Sequence, residues 1–391
     1  MLKQNYRAWV EIDLSAIRHN IRTLKSLLSD SKELMAVVKA DAYGHGAIAV
    51  SQAVLEAGAT WLGVATIVEG VQLRNAGITA PILILGATNS PDEIKAIAEN
   101  RLQPTICTID QALSFNQILN EAWEEHSVST VINSPVLVHL KIDTGMSRLG
   151  TSWQEAKDFI KLVHSLPYLK IHSIYSHLAT ADESDQTILR LQHQRFKQVI
   201  SLLKEFNIQP HLIHIANTAG MMTNSDLHYD LVRCGLGVYG FYPAPHLKIH
   251  LKTQLKESLR PAMQVKARVT QVKNIAAGTG VSYGYSFIAP KDMRIATVAI
   301  GYADGVPRGL SNQLFVTVGD RSEPVAQVGT ITMDQCLIDV TDVPEVKIGD
   351  VVTILGNSED NNADRWAEIL GTISWEILCG FKHRLPRLMR R

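Results

Sequence analysis

Leu34-Met-Ala-Val-Val-Lys39 is an apolar run that ends on a lysine, and Ala40-Asp-Ala-Tyr-Gly-His-Gly46 follows it as a glycine-containing loop. A lysine that closes an apolar strand is partly desolvated, which disfavours its charged form and makes the amine nucleophilic. Taken alone, Lys39 would equally suit a solvated strand end. Four more runs close on polar groups: Lys141-Ile-Asp143 leading to Arg148, Ser176-His177 leading to Asp182, Asn217-Thr218, and Arg233-Cys-Gly235-Leu236-Gly237. Thr218 and the Gly235–Gly237 stretch suit a phosphate held by backbone N–H groups, although such glycines also simply permit tight turns. No Gly-x-Gly-x-x-Gly follows the first run and no Gly-x-x-x-x-Gly-Lys-Ser/Thr occurs, so nicotinamide and triphosphate chemistry have no support. The 14 histidines form no His-Glu-x-x-His and no Cys/His cluster, so no metal site is indicated. His172, His211 and His214 lie inside strand patterns and read as core or strand-face residues. A strand-end lysine with a phosphate cup points to pyridoxal phosphate, which binds lysine as a Schiff base.

The elements that would position these groups repeat one pattern. Eight short apolar runs (Leu34–Lys39, Trp61–Ala65, Ile82–Leu85, Gln103–Cys107, Val136–Ile142, Lys170–Tyr175, His211–Ile215 and Leu231–Tyr239) alternate with amphipathic stretches such as Pro91–Glu99 and Thr187–Phe206. Such alternation implies parallel βαβ units. The reading is an α/β chain: a (β/α)8 TIM-type barrel followed by a mostly β C-terminal domain, with an open doubly wound sheet as the alternative for the first part. Beyond about residue 255, runs such as Val265–Val272, Glu323–Val328 and Asp350–Leu355 are short, β-branched and separated by Gly, Asp or Pro turns. The expected boundaries are 12–250 for the barrel and 255–391 for the β domain. A strand within residues 1–11 joins the latter, and Pro243–Pro261 serves as a hinge.

The chain has 391 residues with 38 basic and 38 acidic side chains, a balance unlike that of nucleic-acid binders. Apolar residues make up 46%, enough for a large core, yet no run approaches the ~18–20 residues that cross a bilayer. The N-terminus carries no signal-peptide pattern, and four scattered cysteines make no disulfide framework. A reduced cytoplasmic enzyme is expected.

Ala36-Val-Val-Lys-Ala-Asp-Ala-Tyr-Gly-His-Gly46 resembles the pyridoxal-phosphate signature of alanine racemases. Lys141–Gly150, Ser176–Glu183, Arg233-x-Gly235 with Tyr239-Gly240, Val281–Gly284, Gly301–Gly305 and Met333-Asp-Gln335 resemble that family's other blocks, in its order and over nearly the whole chain. The resemblance implies interconversion of L- and D-alanine by two-base proton transfer, supplying D-alanine for peptidoglycan. Lys39 is then the Schiff-base lysine and the base for D-alanine, and Tyr283 is the base for L-alanine, reaching the site from the partner subunit of a homodimer. A phenol has a pKa near ~10 and needs help to act as a base; the resemblance implies that His177 contacts this tyrosine, with Arg233 behind it and against the cofactor's pyridine nitrogen. It also implies a phosphate site of Tyr43, Thr218 and the backbone of Gly235 and Leu236. A carboxylate site of Arg148 and the Met333 backbone follows, with an entrance lined by Asp182, Tyr302 and Arg308 and a carbamylation site at Lys141.

Two positions depart from the family. Trp375 replaces a tyrosine expected to contact the phosphate, and an indole can donate one hydrogen bond but accept none. Thr330 stands where relatives often carry an arginine near the entrance. A decarboxylase on the same architecture, a racemase of broader specificity and a non-enzymatic cofactor carrier are the rival readings.

Overall fold

The computed structural model describes residues 6–124, 135–251, 257–319 and 323–391. The chain divides into two compact units: Ala16–Ala42 with Ala47–Arg260, and Met1–Ser15 with Tyr43–Gly46 and Pro261–Arg391. Of the expected N-terminal segment, residues 1–5 lie outside the described residues, and so do residues 252–256 of the expected hinge, which carries a helix over Pro245–Leu251.

In chain order the strands are β1 (Ala8–Asp13), β2 (Glu33–Val37), β3 (Trp61–Val64), β4 (Ile82–Ile84), β5 (Gln103–Ile106), β6 (Val136–Asp143), β7 (Thr151–Ser152), β8 (Leu169–Tyr175), β9 (Leu212–His214) and β10 (Leu231–Cys234). They continue as β11 (Met263–Ile275), β12 (Gly280–Val281), β13 (Phe287–Ile288), β14 (Met293–Val298), β15 (Phe315–Val318), β16 (Val325–Ala326), β17 (Cys336–Asp339), β18 (Val351–Leu355) and β19 (Arg387–Arg390).

The first unit is the barrel. Its sheet runs β10-β2-β3-β4-β5-β6-β8-β9, with every pairing parallel. The remaining seam, β9 beside β10, is joined by Asp230 N–H donating to Ile213 O and Arg233 N–H donating to Ala216 O. The open-sheet alternative is therefore set aside. Met35, Trp61, Leu83, Leu212 and Leu231, one from each of five strands, form a buried apolar cluster. The run Leu231–Tyr239 is not one strand: β10 stops at Cys234 and a 3-10 turn covers Leu236–Tyr239. Within that turn Gly237 is closely packed: a Cβ there would lie 2.9 Å from Thr218 Cγ2 and 3.2 Å from Leu24 Cδ1.

The second unit is mostly β. Its sheet runs β16-β15-β18-β11-β1-β19, with β14 joining β11 and β17. Thus β1, first in the chain, pairs antiparallel with β11 and parallel with β19, at the other end of the sequence. β12 and β13 form a separate ribbon over a core of Val281, Ala289, Met293, Ile295 and Val328. The expected strand Glu323–Val328 shrinks to two residues at β16. The four cysteines are free thiols. No helix among the described residues is long and apolar enough to cross a membrane, and no group of His, Cys, Asp or Glu among them could hold a metal ion.

Candidate active site

In the barrel unit Lys39 is the second residue past the end of β2 and is partly exposed. The chain beyond it turns the unusual way: Ala40, Asp41, Ala42 and Tyr43 have φ of 53°, 51°, 54° and 54°, a turn of left-handed helix without a glycine. Each such L-residue costs about 1–2 kcal/mol, so the turn stores several kcal/mol and must be held. Ala40 N–H donates to Glu69 Oε1 at 2.7 Å, Ala47 N–H to Asp41 Oδ1 at 2.7 Å, and Ala42 N–H to Val38 O at 2.9 Å. Glu69 also accepts from Ala65 N–H and Thr66 N–H through Oε2, as the third helical residue of a capping box. One carboxylate thereby ties the helix Ile67–Asn75 to the residue after Lys39.

Arg233, on β10, is buried and makes only bonds to neutral acceptors. One terminal nitrogen donates to His214 Nδ1 at 2.7 Å; the other donates to Ser176 O, His177 Nδ1 and Ile215 O at 2.8, 3.1 and 3.0 Å. Arginine cannot accept, so both histidines present a lone pair to it and carry their proton on Nε2. Burial, then the Arg233 charge, pushes both histidines well below 6.5, and they stay neutral. Burial lowers the Arg233 guanidinium to about 10, still cationic at neutral pH. Its Nε–H has no partner among the described residues. The Tyr175 ring stacks on His214 with centroids 4.7 Å apart, and Lys141 Nζ and Arg233 Cζ approach that ring to 5.1 and 5.2 Å.

Lys141, Arg148, Ser176 and His177 line one small cleft. Lys141 is buried, and desolvation followed by the Arg233 charge lowers its amine to about 8. The loop that carries Arg148 is shaped by Asp143, whose Oδ1 accepts from the N–H groups of Gly145, Met146 and Ser147 at 2.8, 2.9 and 3.1 Å. Arg148 itself is exposed and makes no hydrogen bond or ion pair among the described residues. Asp182 lies half-exposed in the loop after β8.

Beside β10, Gly235 N–H donates to the buried Thr218 hydroxyl at 3.0 Å, which leaves that hydroxyl's own proton to give. Leu236 and Gly237 open their 3-10 turn, so their N–H groups have no intrahelical partner, and none is found elsewhere among the described residues. Buried donors without acceptors are costly. Two free N–H groups and a hydroxyl form a donor set that fits a phosphate, and Lys39, just past the end of the adjacent strand β2, carries an amine of the kind that pyridoxal phosphate binds.

In the β unit Tyr283 is 75% exposed, in a 3-10 turn entered through Ser282 at φ 63°. Thr330 clasps that turn. Its hydroxyl donates to Tyr283 O at 2.8 Å and so receives the Ser286 hydroxyl at 2.9 Å, while Ser282 donates to Thr330 O at 2.7 Å. The residue marked by sequence as a departure is what holds the tyrosine's backbone. Met333 is exposed, and its N–H has no partner among the described residues. The Gly301–Gly305 segment packs against it: Ala303 N–H donates to Met333 O, and a Cβ on Gly301 would lie 2.2 Å from Thr332 O. Tyr302 and Arg308 are exposed, Trp375 is half-buried near the start of the helix Ser374–Gly380, and Tyr43 is buried with its phenol pushed upward by desolvation.

The profile of the "Alanine racemase, N-terminal domain" family matches residues 12–243, and that of the "Alanine racemase, C-terminal domain" family matches 262–389. The chain belongs to the alanine racemase family. A Nostoc sp. alanine racemase is 56% identical over 384 residues, covering 98% of this chain and 95% of that protein. A Synechocystis sp. alanine racemase is 51% identical over 391 residues, covering both chains fully at 100%. Among solved structures, an alanine racemase of Clostridium difficile superposes with a TM-score of 0.90 at 33% identity, covering 99% and 97% of the two chains. One from Bacillus anthracis, described with bound L-Ala-P, gives 0.87 at 35% identity, covering 98% and 95%.

As a member of the alanine racemase family, the chain is an isomerase built on the barrel-plus-β architecture expected from its sequence. The barrel unit gathers Lys141, Arg148 and His177 at one cleft and bonds His177 to Arg233. Sequence reasoning passed over Glu69, Tyr175 and the bonding role of His214. The capping pattern Thr66-x-x-Glu69 was the only signal available for the first; nothing in the sequence singled out the others.

Proposed function

We propose that this protein interconverts L- and D-alanine with pyridoxal phosphate held on Lys39. When bound, the cofactor delocalises the negative charge left at Cα after proton loss. Every other requirement falls on the chain's own groups. Thr218, Leu236 and Gly237, with Tyr43 and Trp375, hold the phosphate, Gly235 acting through the Thr218 hydroxyl that its N–H binds, and Arg233 faces the ring nitrogen through Nε–H. Arg148 binds the substrate carboxylate, aided by the Met333 N–H, because its planar fork can donate two parallel bonds. Lys39 Nζ removes the α-proton from D-alanine, and Tyr283 Oη of the partner subunit removes it from L-alanine. While one base takes the proton from its face, the other delivers a proton to the opposite face, so the configuration inverts. Asp182, Tyr302 and Arg308 line the entrance. Lys141, with an amine near neutrality, is poised to be carbamylated and then to brace Arg148. The active particle is a homodimer with shared sites, cytoplasmic, feeding D-alanine to peptidoglycan.

The observation that carries this reading is the unpartnered pair of Leu236 and Gly237 N–H groups near the Thr218 hydroxyl, in the turn that follows the strand next to the one leading to Lys39. An absorption scan of the purified protein for a lysine-bound cofactor, with chiral analysis of L-alanine incubated in deuterated water, tests it. D-alanine carrying deuterium at Cα is expected. Carbon dioxide release, or a cofactor-loaded protein that never exchanges that hydrogen, would overturn it. Serine as a competing substrate measures the breadth of the pocket.

A further inference from the structure

The barrel interior holds a chain of hydrogen bonds whose direction is fixed end to end. Arg233 can only donate, so His214 Nδ1 accepts and His214 Nε2–H donates to Ser173 Oγ at 3.0 Å. The Ser173 proton then has one other partner, His139 Nδ1 at 2.6 Å. That leaves His139 Nε2–H to donate to Gln103 Oε1 at 2.8 Å. The links come from β10, β9, β8, β6 and β5. His214, Ser173 and His139 are fully buried, and desolvation pushes both histidines well below 6.5, so no proton is added to disturb the order.

We infer that this relay from Gln103 through His139, Ser173 and His214 is a positioning device for Arg233. It keeps a lone pair, never an N–H, against the guanidinium. With one terminal nitrogen held by His214 and the other by Ser176 O, His177 and Ile215 O, the plane of the guanidinium is fixed and its Nε–H is left as the free donor. If the relay breaks at Ser173, His214 Nε2–H loses its acceptor and the other tautomer gains ground. That tautomer sets N–H against N–H at Arg233 and turns the guanidinium. Hydrogen-bonded chains in a low-dielectric interior polarise one another, so a change at one end is felt at the other. The inference deepens the proposed function, since it rests on Arg233 facing the cofactor.

The test uses the cofactor-loaded protein labelled with 15N-histidine. Nitrogen chemical shifts should show His214, His177 and His139 all protonated at Nε2 and bare at Nδ1. In Ser173→Ala the His214 signals should move toward the Nδ1–H form and pyridoxal phosphate should dissociate roughly tenfold more readily, the scale of one lost buried bond. Should Ser173→Ala fold poorly, Gln103→Leu at the half-buried outer end should give the same changes in smaller measure, and Gln103→Glu, which keeps an acceptor, should restore them. A protonated His214 Nδ1 in the unaltered protein overturns the relay. Changed tautomers with unchanged cofactor affinity overturn its positioning role. Arg233→Lys with unchanged cofactor affinity would instead sink the reading of Arg233 as a cofactor contact, and the relay's role with it.

Discussion

The two regions that carry the proposed bases are built on opposite plans. Around Lys39 the barrel unit is buried and polar: Arg233, His214 and Ser173 are inside the core, and each has a directed partner. Around Tyr283 the β unit is open: Tyr283 is 75% and Tyr285 69% exposed, and the turn is held by the hydroxyls of Thr330, Ser286 and Ser282 together with the Asn312 amide. Met333, in the same unit, is exposed as well. The barrel half fixes its groups by its own packing, whereas the tyrosine half leaves its aromatic side chains exposed, which suits the proposed sharing of a site between chains.

That contrast breaks most sharply at the bases themselves. Lys39→Ala should abolish racemisation, at least about a thousandfold, and remove the lysine-bound absorption band. Tyr283→Phe should lower racemisation roughly a hundredfold to ten-thousandfold, yet leave D-alanine exchanging its α-hydrogen with deuterated water through Lys39. Equal loss of exchange from both enantiomers would contradict separate bases. Mixed dimers of Lys39→Ala and Tyr283→Ala chains should recover activity, because one of the two sites then holds both bases; verified heterodimers without recovery would contradict sharing.

The polar barrel interior predicts a stability signature of its own at Lys141. The Lys141 amine, lowered from 10.5 to about 8 by burial, is neutral in the fold and charged in the unfolded chain between those values. The unfolded chain then binds the extra proton, so this group's contribution to stability rises with pH from about 8 to 10.5. In carbon-dioxide-free buffer Lys141→Met should be more stable than the unaltered chain at pH 7 and lose that advantage across this range, read by urea unfolding. A difference independent of pH would show that the amine is not desolvated.

The smallest effect belongs to the clasp. Thr330→Val keeps the shape but removes the donor to Tyr283 O and the acceptor for Ser286, at about 1 kcal/mol. Turnover should fall several-fold while cofactor affinity stays unchanged. A fall in cofactor affinity instead would place Thr330 in the wrong half of the comparison.

Much of the architecture was readable because local patterns encode it. The alternation of apolar runs and amphipathic stretches gave the parallel barrel, and Lys39 announced itself by ending such a run. The break inside Leu231–Tyr239 was not readable, because the apolar run continues through it while the turn packs Gly237 against Thr218 and Leu24, which are distant in sequence. The left-handed turn after Lys39 also had no signal: Ala40, Asp41, Ala42 and Tyr43 are ordinary L-residues, and their conformation is upheld by partners at Glu69 and Asp41 rather than by intrinsic preference.

By itself the sequence determined which side chains exist to do chemistry, and the order of the strands that carry them, because strand ends and hydrophobic periods are properties of a few consecutive residues. Only the tertiary structure decided that a serine 34 residues from one histidine and 41 from another would join them in a single directed chain to Arg233. That decision depends on strand register in a closed parallel sheet, where sliding one strand by a residue turns every inward side chain outward.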